Sequence, residues 1–125
     1  MREQCQKDLP GTLAAVKKIG YPAVEFAGYY DRSAKDLRKL LDDNGLVACG
    51  THTPYESVQG DKLKETVEFN RIIGNKFLIV PWMNEAKSKQ EWLDRAKLFN
   101  EIADKVKPEG MWVGYHAHQH DFKDI

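Results

Sequence analysis

Amphipathic helical segments and short apolar runs alternate four times along this chain, and that order restricts its fold more than any other property. Leu9, Leu13, Val16 and Ile19 recur at helical spacing, with Asp8 placed as an N-cap, Pro10 in the first turn and Gly20 as the stop. Residues 21–27 are too few for another helix and rich in strand formers, and Gly28 closes them. Ser33 then caps a helix with Leu37, Leu40 and Leu41 on one face and Asn44-Gly45 as a left-handed stop, before a buried strand at residues 46–51. Asp61 opens a third helix through Leu63, Val67 and Ile73 to Gly74, and residues 76–81 form the clearest buried strand. A capping box at Ser88 and Glu91 starts the fourth helix, which presents Trp92, Ala96, Phe99, Ile102, Ala103 and Val106. Pro108 and Gly110 end it before residues 111–116, read as a buried strand. Trp92, on the helix's apolar stripe, and Trp112, in the strand, are assigned to the core.

Alternation of this kind implies parallel strands joined by right-handed helical crossovers, the α/β class. In such folds the functional groups gather at the C-terminal ends of the strands. The segments expected there are residues 25–30, 51–54, 81–84 and 116–121, and all four histidines of the protein fall within them. No glycine-rich phosphate loop follows a strand, which disfavours dinucleotide and nucleoside triphosphate chemistry. Nineteen basic residues balance nineteen acidic ones, so no net field favours nucleic acid or an anionic membrane. Cys5 and Cys49 lack metal-site spacing and are expected to be buried structural thiols. No apolar run approaches the roughly 18 residues of a membrane span, and the charged opening residues lack a secretory h-region, so a soluble, cytoplasmic protein is expected.

Three histidines, His116, His118 and His120, lie in one tract after the last strand. Alternation along a strand would point them the same way, and a row of imidazoles can serve a metal or an acid/base site; the bland account is a tract facing water. Glu25 sits within an apolar strand, where an unpaired charge is costly, so either a structural ion pair with Lys or Arg or a substrate contact should occupy it. Trp82 after Pro81 is either a flat aromatic wall on which a ligand stacks or a rim residue shielding the core. Tyr29, Tyr30 and Tyr55 are loop residues with little claim to a role.

Five stretches taken in order resemble one known family: residues 8–13 (DLPGTL), 20–28 (GYPAVEFAG), 50–53 (GTHT), 75–82 (NKFLIVPW) and 114–118 (GYHAH). They are similar to the sugar phosphate isomerase/epimerase family, whose members adopt the xylose-isomerase-like (β/α)8 barrel. A complete barrel needs on the order of 250 residues. The resemblance therefore implies an α/β fold that is about half of a TIM-type barrel, running from helix 1 to strand 5. Residues 1–125 would be a single partial domain without strand 1 and the C-terminal strands, inactive when isolated. In the full-length form it implies a divalent metal ion (Mn, Mg, Zn or Co) and proton transfer on a sugar, sugar phosphate or polyol. His116 matches the position of the family's usual fifth-strand glutamate and is the candidate metal ligand, without a carboxylate's capacity as a base. The other ligands would lie on later strands. His118 matches a supporting, substrate-facing residue, and His52 a rim histidine that binds substrate; Glu25 and Trp82 complete the candidate substrate contacts. The expected partners are a small sugar or sugar phosphate and a second copy in a homo-oligomer or domain-exchanged dimer, with no nucleic acid and no membrane. Two alternatives stand beside this reading. One is a non-catalytic metal-binding or interaction module using His116, His118 and His120 as a tripod; the other, disfavoured by the neutral charge, is a relative of abasic-site endonucleases.

Overall fold

The computed structural model describes residues 1–123. Its sheet has four strands, all parallel, in the order β1 (Ala23–Phe26), β2 (Val47–His52), β3 (Phe77–Val80) and β4 (Trp112–Tyr115). Each strand follows a helix: α2 (Leu9–Ile19), α3 (Ala34–Asn44), α4 (Lys62–Ile73) and α5 (Lys89–Val106). A short additional helix, α1 (Arg2–Lys7), precedes them. It carries no buried residue and hence no apolar stripe by which the sequence could announce it.

The helix boundaries rest on the expected local chemistry except at the start of α4, where Asp61 makes no side-chain cap hydrogen bond. Asp8 accepts a hydrogen bond from the Gly11 N–H at 3.0 Å, and Ser33 from that of Asp36 at 3.1 Å. Gly20, Gly45 and Gly74 each take the left-handed conformation that ends the preceding helix. At α5 the box is displaced by one residue. Ser88 accepts from Glu91 N–H as expected, whereas the Glu91 carboxylate reaches back to the N–H of Lys87 at 2.8 Å.

Helices cover one face of the sheet. Phe26, Thr51 and Leu78 lie side by side in register on that face and are fully buried. Two apolar clusters fill the space beneath the helices, one around Leu37, Leu41 and Ile73, the other around Val58, Leu78, Val80 and Val106. Between them runs a buried polar network. Asn70 Oδ1 accepts from Thr51 Oγ1 at 2.9 Å and from Asn75 Nδ2 at 2.8 Å, while its own amide donates to Thr66 O and to the Tyr29 hydroxyl. Every member is satisfied, as a buried polar group must be to avoid a penalty. The network fastens the end of α4 to β2 just before His52.

The opposite face is open, and there two expectations fail. Trp112, paired with Phe77, is 66% exposed and not part of the core, and β4 is half-buried rather than buried. The cause is the uncovered face, on which Val47 and Phe77 of the inner strands are exposed as well; β4 in addition has a neighbour on one side only among the described residues. Nor are the thiols buried. Cys5 is half-buried, and Cys49 is exposed on β2 where the register with β1 slips between Val24 and Glu25, a bulge that leaves Cys49 without a cross-strand partner. No helix among the described residues is long and apolar enough to cross a membrane.

Candidate functional site

A cleft of about 700 Å³ opens at the C-terminal ends of the strands. His52, Trp82, His116 and His118 all line it, so four of the five candidate residues come together. The fifth, Glu25, supports the cleft from below through His52.

Glu25 and Gly50 are register partners, and His52 lies two residues further along β2, on the same open face. The Glu25 Oε1 therefore reaches across the strand to His52 Nε2 at 3.0 Å. The partner of Glu25 is a cleft histidine, not the Lys or Arg expected of a structural ion pair. A carboxylate on Nε2 fixes the ring's orientation and, in the neutral imidazole, makes Nδ1 the nitrogen with the free lone pair.

His116 directly follows β4, and its N–H extends the ladder to Val80 O at 3.0 Å. From it the imidazoles run in a row, with ring centroids 5.7 Å from His52 to His116, 4.9 Å from His116 to His118 and 5.6 Å from His118 to His120. Trp82, 52% exposed, lies at the far end with its ring 6.0 Å from that of His120. His118 Nδ1 and Asp121 Oδ1 are both buried without a hydrogen-bond partner of good geometry among the described residues.

Below the row lies Asp121, in the 3₁₀ turn Gln119–Phe122. Its Oδ2 accepts from the Tyr115 hydroxyl at 2.8 Å and from the His118 backbone N–H at 2.7 Å; Oδ1 lies 3.3 Å from His120 Nε2. Burial would raise the pKa of this carboxyl, but the two hydrogen bonds and the neighbouring imidazoles outweigh it and hold the group below the usual range. Burial first, then the bond to Asp121 and its charge, push the Tyr115 hydroxyl up to about 12.

Sequence reasoning gave Tyr30 little claim to a role and missed Arg2 and Asp31, and all three line the cleft. Arg2 gave no signal because α1 gave none. Tyr30 and Asp31 both adopt left-handed backbone conformations, with φ of 52° and 56°. Two consecutive non-glycine residues in that region store on the order of 1 kcal/mol or more each, and such strain collects at functional loops. Tyr29, by contrast, is structural: it stacks on Phe69 at 4.1 Å between ring centroids.

The donors present do not make a metal centre by themselves. Glu25 is engaged by His52 and Asp121 by Tyr115 and His118, and among the described residues no three His, Cys, Asp or Glu side chains converge on one ion position. The His116, His118 and His120 tripod is accordingly not formed: the rings follow one another in a row instead of meeting at a point.

No family model matches the sequence, and no curated protein does. Solved structures do. A sugar phosphate isomerase/epimerase from Parabacteroides distasonis superposes with a TM-score of 0.83 at 23% identity, covering 98% of this chain and 50% of that one. The fold is half of a TIM-type barrel. An AP endonuclease of family 2 from Brucella melitensis matches the half barrel with a TM-score of 0.68 at 16% identity, over 85% of this chain and 48% of that one. An L-ribulose 3-epimerase matches with a TM-score of 0.62 at 22% identity, over 86% and 43%. The chain thus spans about half the length of the solved structures it resembles, and the half it spans carries β1 to β4 with the helices outside.

Proposed function

We propose that this half barrel forms the substrate-binding rim of a sugar isomerase or epimerase, acting on a small sugar, sugar phosphate or polyol once the barrel is closed. The observation that carries the reading is the carboxylate-held imidazole of His52 facing the same cleft as His116, His118 and the exposed indole of Trp82. Isomerisation and epimerisation next to a carbonyl need one carbon-bound proton removed and returned. His52 is the candidate base, its free nitrogen made available by the hold of Glu25 on the other. His116 and His118 offer hydrogen bonds to hydroxyls, and Trp82 offers a flat apolar surface to the C–H face of the sugar ring. His116 supplies one metal donor at most, so a metal-dependent form of the reaction would draw its other ligands from outside these four strands. A cytoplasmic setting belongs to the same reading, and the balanced charge argues against the abasic-site alternative.

The open sheet face supports a closing partner, and the one we propose is a second copy. Parallel sheets are covered on both faces, yet Val47, Phe77 and Trp112 are 60%, 48% and 66% exposed here. A twofold axis along the barrel would set β4 of one copy beside β1 of the next in the parallel sense already present within the sheet.

The chemistry is tested by incubating ketoses and aldoses with the protein in D2O and following deuterium at the carbon next to the carbonyl. The expected outcome is incorporation by the closed assembly and its loss in His52→Gln. A closed assembly that exchanges no sugar proton overturns the proposal.

A further inference from the structure

We infer that Asp121 is the positioning residue of the cleft: its buried carboxylate, anchored by the Tyr115 hydroxyl, sets the places of His118 and His120 and, through His120, of Trp82. The inference rests on the cleft being the sugar site, but the positioning itself stands on geometry alone.

Tyr115 ends β4, and its ring packs between Trp92 and Phe99 of α5, with centroids 6.3 and 6.2 Å away. It is thus fixed from the helical side of the sheet. Its hydroxyl donates to Asp121 Oδ2, and the same oxygen takes the N–H of His118, so one buried atom ties the strand to the chain reversal that carries the histidine row. The Asp121 side chain is only 4% exposed, which leaves water little chance to replace either bond. Oδ1 makes no hydrogen bond of its own but lies within ion-pair distance of His120 Nε2, at 3.3 Å, and that nitrogen's hydrogen-bond partner is the Met83 carbonyl, also at 3.3 Å. His120 is therefore held between the turn and the loop after β3, beside the Trp82 indole. Beyond Asp121, the His120 ring is held by the Met83 carbonyl, and His118 is held through its backbone N–H; Lys123, on the same stretch, pairs away with Glu85.

Asp121→Asn keeps the shape and removes the charge and one acceptor; Tyr115→Phe keeps the packed ring and removes only the anchor. Imidazole resonances and ring-to-ring contacts are read by NMR in the free protein, and sugar affinity by titration with D-ribulose and D-xylulose. We expect the wild type to show contacts between the His118 and His120 rings. Both variants should lose them, shift the Trp82 indole signal, and bind sugar about tenfold more weakly through misplacement alone. Should Asp121→Asn not fold, Tyr115→Phe carries the test. Unchanged ring contacts and an unmoved Trp82 signal in a folded variant overturn the positioning role. A wild type that binds no sugar, with ring contacts that still vanish in the variants, refutes the proposed function and leaves the positioning intact.

Discussion

Gly50 has no side chain, and the carboxylate of Glu25 occupies the place of one: a Cβ there would come within 2.9 Å of Oε2. The obstructing atoms are the Glu25 carboxylate end and, at 3.1 Å, the Cδ1 of Ile79, both side-chain ends that can give, so Gly50→Ala should fold with a small loss of stability while swinging Glu25 away from His52. Calorimetry near the wild-type Tm, together with altered His52 ring signals, would bear this out; an unmoved His52 would count against the pair. Tyr115 gives a second prediction. A hydroxyl whose folded pKa is raised to about 12 stabilises the fold fully below the ordinary tyrosine value near 10, and that contribution fades as pH climbs toward 12. Urea midpoints should fall between pH 10 and 11.5 more steeply in the wild type than in Tyr115→Phe, and parallel curves would contradict the assignment. At this scale the histidines were legible because strand ends in an alternating fold are predictable from sequence. The partner of Glu25 and the role of Asp121 were not, since both depend on which face a side chain takes and on a turn that brings Asp121 beneath the row.

The elements followed from capping residues and apolar spacing, and their edges differ from expectation by one or two residues where ladders fray. Asn70 lay beyond that logic: a polar residue inside a helix suggests an exposed face, yet it is fully buried because Thr51, Asn75 and Thr66 receive it. Asn70→Ala would leave several of these groups unpaired and should lower stability by roughly 2–4 kcal/mol. Chemical denaturation measures it, and a loss below about 1 kcal/mol would show that the network is dispensable. Residues 77–80 illustrate the limit of pattern reading. Four apolar residues in succession announce a strand, but not that Phe77 and Ile79 face the open side while Leu78 and Val80 face the helices.

At the scale of the whole molecule the parallel α/β sheet was legible from the order of its elements and the half barrel from the resemblance to a barrel family, and the solved structures agree with both. The exposure of Trp112 was not, because it depends on what lies against the sheet rather than on the strand itself. If a second copy closes the sheet, sedimentation should give a dimer, and Trp112→Glu should convert it to monomer without unfolding the half barrel. A wild-type monomer at tens of micromolar would remove the second copy from the account. The account's central claim is that the histidine row and Trp82 form one sugar-binding surface. Its most direct test is a titration of the imidazole and indole NMR signals with a panel of sugars and sugar phosphates. The account predicts that His52, His116, His118 and Trp82 shift together and saturate with one affinity for at least one sugar. Signals that stay still across the panel, or move independently of one another, would contradict it.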